Sequence, residues 1–173
     1  MLSMTFRQSP PRRLSGNRGS PRHLTAPTVV LAAVSPRIEM VLVPNAPKPL
    51  GNYSHAVRYG TLIVVSGIAA RDPLTDKVPG LKLGPDGQRL SYDIRLETRS
   101  TLENIRTILE GVESSLENIL EVNTYLTDMG DFQAYNEVYA EFFKMHHPAR
   151  TTIGVSALPG AISIEMKVLA VTK

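Results

Sequence analysis

AVRYGTLIVVSGIAA, residues 56–70, decides the fold class. Apolar side chains run unbroken from Leu62 to Val65, and the run is short and β-branched, which predicts a strand central in a sheet. Ahead of it, Ala56–Tyr59 reads as a neighbouring strand, with a turn at Tyr59-Gly60. Downstream, RDPLTDKVPGLKLGPDGQRLSYD (71–93) is dense in Pro, Gly and Asp and predicts turns with one edge hairpin. Asp93 then opens a helix. Ile94, Thr98, Leu102, Ile105, Leu109 and Val112 recur every three or four residues as one buried stripe. Ser114 to Glu117 has capping-box spacing for a short turn. ILEVNTYLTDM (119–129) alternates through Val122, Thr124 and Leu126, as a strand does. A second helix starts near Asp131, carries Phe132, Tyr135, Tyr139, Phe142 and Phe143 on one face, and stops at Pro148. TTIGVSAL (151–158) and AISIEMKVLAV (161–171) supply the last strands. This order predicts an α+β sandwich: a single mixed β-sheet with two helices packed on one face. No glycine-rich loop joins a strand to a helix, which excludes Rossmann and P-loop nucleotide binding.

The chain has 173 residues, 42% of them hydrophobic, enough for one domain with a real core. It has no cysteine, so disulfides, thiolate nucleophiles, zinc ribbons and iron–sulfur clusters are excluded together. Its net charge of +3 hides an asymmetry. Residues 1–38 carry Arg7, Arg12, Arg13, Arg18, Arg22 and Arg37 and no acidic residue. Removing those six from 19 basic residues leaves 13 against 16 acidic ones, so the body is near −3. A nucleic-acid partner would place the positive excess on the folded part, so nucleic acid is not the expected partner. The head, residues 1–39, is rich in Arg, Ser and Pro and is expected to be disordered. It reads as an extension upstream of a start at Met40, or as an organelle-targeting segment. Its apolar stretch TVVLAAV is too short to span a bilayer, so no membrane partner is expected; the lack of cysteine fits a reducing compartment, and a cytoplasmic location is the expectation.

In the body, residues 40–173, two charges stand beside strand-like segments. Arg150 opens one, and Glu165 interrupts the next. Alternation puts Arg150, Thr152, Gly154 and Ser156 on one face, and Ser163, Glu165 and Lys167 opposite a dry face of Ile162, Ile164, Met166 and Val168. One account is a merely solvated face. If the two strands instead formed a hairpin, a four-residue connection would make Arg150, Thr152 and Glu165 face the same way, and a five-residue one would separate Arg150 from Glu165. Asn136 sits on the apolar stripe of its helix, where it either satisfies a nearby backbone group or lines a site. His55 and the adjacent His146-His147 lack the spacing and carboxylate partners of a metal site, so no metal is expected.

Taken together, PLGNYSHAVRYGTLIVVSG, TRSTLENIRTILE, VNTYLTDMGDFQAYNEVYAEFF and PARTTIGVSALPGAISIEMKVLAV resemble the Rid family of reactive intermediate (enamine/imine) deaminases. The likeness covers residues 45–172. It implies a chorismate-mutase-like sandwich assembled as a homotrimer, with cofactor-free sites in clefts between subunits. Carried over by residue, Arg150 would bind the substrate carboxylate through its planar fork, and Glu165 would position water and move protons. Tyr53, Asn136 and Thr152 would line the pocket, and Ser66-Gly67 would let backbone approach the ligand. The segment VPGLKLGPDGQRLSYDIR is an insertion relative to short general members, and with DIRxxTRxxxENIRxIL and GDFxxYNEVYxxFF it resembles the 2-aminomuconate deaminase branch of aromatic catabolism. Taken alone, Arg71 reads as a surface arginine beside Asp72 in a turn; in that branch it would instead meet the second carboxylate of 2-aminomuconate during its conversion to 4-oxalocrotonate. GNYSHA instead resembles the general branch, acting on 2-iminobutyrate and 2-iminopropanoate. Other members are described as ribonucleases, translation inhibitors or chaperones.

Overall fold

The computed structural model describes residues 36–173. The expected disorder of the basic head therefore falls almost wholly outside the described residues. Four of its residues are described, and the first strand, β1 (Ile38–Val41), begins two residues before Met40. The folded body thus starts earlier than the expected boundary.

Strands β2 (Ala56–Tyr59) and β3 (Leu62–Ala69) follow, joined by a tight turn at Gly60, where φ of 61° favours glycine. A short hairpin, β4 (Lys82–Leu83) and β5 (Arg89–Ser91), stands apart from the main sheet. Helix α1 (Ile94–Glu110) is capped as expected: Asp93 accepts from the backbone N–H of Arg95 at 2.9 Å and Leu96 at 3.2 Å. Then come β6 (Ile119–Leu126), α2 (Phe132–Phe142), β7 (Ala149–Gly154) and β8 (Ile164–Val171). Helix α2 ends six residues before Pro148, because the chain leaves helical geometry at Phe143. The capping box at Ser114 does not form either. That hydroxyl donates to Val171 O at 2.6 Å, tying the end of α1 to β8 instead.

The main sheet runs β1-β2-β3-β8-β6-β7, with β6 and β7 parallel and every other pair antiparallel. LIVVSG is interior, as its unbroken apolar run requires. Ile63, Val65 and Ile68 of β3, Val122 and Leu126 of β6, and Ile164, Met166 and Val168 of β8 point to one side. There they meet Leu102, Ile105 and Leu109 of α1 and Tyr135 and Tyr139 of α2. The two-helices-on-a-mixed-sheet architecture is the one expected. Among the described residues, the other side of the sheet carries no helix. Register places Ile38 beside Tyr59, Met40 beside Val57, and Val64 beside Leu169 on it. Ile38 and Met40 are 72% and 80% exposed there, on an apolar face that the described residues leave uncovered.

The last two strands are not a hairpin. β6 lies between them, with Arg150 opposite Val122 and Glu165 opposite Tyr125. Val122 is buried under the helices, whereas Tyr125 alternates to the open side. Arg150 and Glu165 therefore lie on opposite faces of the sheet. Interstrand and axial spacings put them about 10 Å apart across the sheet and about 10 Å along it. The hairpin on which a shared face depended does not form, because β6 lies between the two strands.

Candidate active site

Glu165 lies at one end of a cleft of about 740 Å³ whose walls include Tyr53, His55, Gly67, Arg71, Leu81, Leu83 and the turn from Pro159 to Ile162. The carboxylate is half-buried, and burial raises its pKa above the ordinary carboxyl value. A carboxyl group so placed holds a proton more readily, which suits a group that must both give and take one. Its close neighbour is Gly67. The β3–β8 register slips between Val65 and Ile68, and this irregularity brings the Gly67 backbone against the carboxylate. A Cβ there would lie 2.8 Å from Glu165 Cδ, so the requirement is for space.

The remaining wall is held by hydrogen bonds. Val43 N–H donates to His55 Nδ1 at 2.8 Å and His55 Nε2 contacts Pro47 O at 2.9 Å, which assigns one tautomer, Nδ1 accepting and Nε2 donating. His55 is thus a strut for the segment that carries Pro47 and Leu50 into the cleft. His146 Nε2 contacts Ile119 O at 2.6 Å, also a structural role. Tyr53 Oη accepts from Leu50 N–H at 3.2 Å, which leaves its own proton for another acceptor. Arg71 pairs with Asp76 and with Lys48 O. Two of its five donors are engaged there, and the others remain for a ligand. Ser66 does not line the cleft: its hydroxyl donates to Ser54 O at 2.7 Å, holding the strand end that presents Gly67.

A second cluster sits at the sheet edge on the helix side. Arg150 Nη1 donates to Asn136 Oδ1 at 2.8 Å, and the guanidinium lies 4.6 Å from the Tyr139 ring centroid and 5.5 Å from that of Tyr135. The aromatic stripe of α2 thus serves as a platform that fixes the plane of the guanidinium. Asn136 is half-buried, so its place on the apolar stripe is explained by this one partner. Thr152 follows on the same face, with its buried hydroxyl unpaired. Burial also raises the pKa of the Tyr139 phenol.

The residues named from the sequence thus fall into two clusters, which one chain keeps apart. Sequence reading missed Leu81, Leu83 and the 159–162 turn. The alternation of Leu81 and Leu83 before GPDG was the available signal for an apolar wall. Among the described residues, no group of three or more His, Asp or Glu could hold a metal, and no helix is long and apolar enough to cross a membrane.

A six-stranded mixed sheet, two covering helices and a half-buried carboxylate beside a glycine define a two-layer α+β protein with a carboxylate-bearing cleft. The chain belongs to the endoribonuclease L-PSP family, the Rid family, which it matches over residues 43–172. It is 40% identical over 132 residues to a RutC family protein of Pyrococcus horikoshii, covering 76% of this chain and 96% of that one. It is 30% identical over 138 residues to the 2-iminobutanoate/2-iminopropanoate deaminase of Dermatophagoides farinae, covering 80% and 98%. Among solved structures, yeast Mmf1 superposes with a TM-score of 0.67 at 33% identity, covering 79% of this chain and 100% of that one. E. coli TdcF with bound serine gives a TM-score of 0.68 at 28% identity, covering 78% and 99%.

Proposed function

We propose that this protein is a cofactor-independent deaminase that hydrolyses 2-enamino and 2-imino carboxylates to 2-oxo acids and ammonia. The single observation that carries the reading is the half-buried Glu165 carboxylate pressed against Gly67 in an otherwise largely apolar cleft. The enamine is protonated at carbon to give the imine, water adds to the imine carbon, and ammonia leaves as the carbonyl forms. Glu165 holds and returns the protons, and Tyr53 offers a hydroxyl proton. Because the substrate is already reactive, orientation and one acid/base group suffice. The deaminase from Dermatophagoides farinae supports the same chemistry by likeness.

Arg150 is the carboxylate anchor in this proposal, held flat by Asn136 and the aromatic platform. It lies too far from Glu165, on the wrong face, to share a ligand within one chain. The site is therefore completed by a neighbouring copy, whose Arg150 edge meets this chain's Glu165 cleft in a closed homotrimer. The apolar face with Ile38, Met40, Tyr59 and Leu62, which the described residues leave uncovered, supplies the surface that such an assembly buries.

A finer reading is favoured by Arg71, which lines the same cleft as Glu165. A substrate with a second carboxylate at its far end, as in 2-aminomuconate, would meet that guanidinium. The general reading is tested by ammonia release from enzymatically generated 2-iminobutyrate, with RNA cleavage followed in the same buffer. Release that depends on Arg150 is expected; release unaffected by Arg150→Ala overturns the anchor, and RNA cleavage without release overturns the deaminase.

A further inference from the structure

The hairpin β4–β5 presents an unusual case of a short element without a sheet to lean on. It shares no ladder with the six-stranded sheet, and its strands span two and three residues. An isolated two-stranded ribbon is marginal in water, so its position must come from elsewhere. Leu81 and Leu83 at its start nevertheless line the cleft, facing a wall that includes Ile162 and Pro159.

A polar brace supplies the missing support. Arg89, on β5, donates from Nη1 to Ser163 Oγ at 2.8 Å across 74 residues of sequence. Ser163 in turn donates through its backbone N–H to Glu97 Oε2 at 2.7 Å and through its hydroxyl to Glu97 Oε1 at 3.1 Å. Glu97 and Ser163 are both fully buried. A buried carboxylate is costly unless both oxygens are satisfied, and here both are, with Arg89 as the cation at the end of the chain. The Arg89 guanidinium also lies 4.5 Å from the Tyr92 ring centroid, and Tyr92 Oη donates to Asp131 Oδ2 at 2.7 Å. Ser163 is two residues from Glu165 and adjoins the 159–162 turn. One node therefore ties the hairpin, the turn and the acid/base strand together.

We infer that the β4–β5 hairpin is a specificity wall, locked over the cleft by the Arg89–Ser163–Glu97 brace, and that Leu81 and Leu83 select substrates with an extended hydrocarbon body. The inference rests on the proposed deaminase reading of this cleft. A three- or four-carbon imino acid has little hydrocarbon to set against Leu81 and Leu83. A longer one places its hydrocarbon portion against the two leucines while its reacting carbon stays at Glu165. Arg89 is a positioning residue here, since it acts through Ser163.

The test compares two imines made in situ by an amino-acid oxidase, the small one from alanine and the large one from phenylalanine. Wild type, Arg89→Ala, Arg89→Lys and the double variant Leu81→Ala/Leu83→Ala are assayed for ammonia release. The ratio of kcat/KM for large over small substrate is expected to fall about tenfold or more in the leucine variant, chiefly through KM. Arg89→Ala should lower the ratio in the same direction, and Arg89→Lys should restore part of it. A ratio within twofold of wild type in both Arg89→Ala and the leucine variant overturns the wall. Wild type that releases ammonia from neither imine overturns the deaminase reading instead, so the two failures are distinct.

Discussion

Gly67→Ala separates the chemistry of the cleft from the stability of the fold. The added Cβ would lie 2.8 Å from Glu165 Cδ and 3.3 Å from its Cγ. Ordinary carbon–carbon contact needs about 3.5–4.0 Å, so the carboxyl group must withdraw by about 1 Å. The backbone itself accepts alanine, since Gly67 is not among the residues with positive φ. The obstructed group is the free end of a flexible side chain, so the side chain moves and the strand does not. Stability should change by less than about 1 kcal/mol. Displacing a reacting group by that distance costs about 100-fold in rate. Ammonia release from 2-iminobutyrate, read beside a thermal melt of the same preparation, measures both quantities. Turnover within threefold of wild type at unchanged Tm would refute the assigned contact between Gly67 and a working carboxylate.

Glu165→Gln should keep carboxylate binding and slow turnover, on the order of 100-fold for loss of an acid/base group, as ligand titration and a rate assay together will show. Arg150→Lys keeps the charge but loses the fork and the stacking, and should weaken substrate binding by about 1–3 kcal/mol in a titration. Burial raises the pKa of the Glu97 carboxyl above its ordinary 4.5, so as pH rises the unfolded chain releases this proton before the folded one. That contribution to stability is present below about pH 4.5 and lost as pH climbs through the raised folded value. Glu97→Gln should remove this slope from the pH dependence of the urea midpoint. It should also cost about 1–3 kcal/mol, because one Ser163 donor then faces an amide N–H. Asp93→Ala should cost about 1 kcal/mol through the lost cap of α1, read as a lower denaturant midpoint.

Much of the fold was legible because its signals are local. The run at Leu62–Val65, the stripe from Ile94 to Val112 and the cap at Asp93 each declare themselves within a few residues of sequence. What was not legible depended on pairing between distant segments. Whether β7 pairs with β8 or with β6 is set by the whole sheet, and no alternation within either strand reveals it. That one choice moved Arg150 to the helix side and away from Glu165. The Arg150–Asn136 contact was half visible, as a polar residue on an apolar stripe without a known partner. Glu97 was hidden for a similar reason. It stands three residues after Ile94 and reads as a surface charge until Ser163, 66 residues away, is seen to fill both its oxygens.

Mixed assembly of two inactive variants tests the central claim most directly. Arg150→Ala and Glu165→Gln are each expected to deaminate poorly alone. Denatured together in equal amounts and refolded into the proposed closed rings, they should give sites built across copies that receive both natural residues roughly one time in four. The account predicts recovery of about a quarter of wild-type ammonia release, against the sum of the two variants refolded separately. If co-refolded protein forms mixed assemblies yet releases no more ammonia than that sum, the two residues do not meet across subunits, and the shared site is wrong.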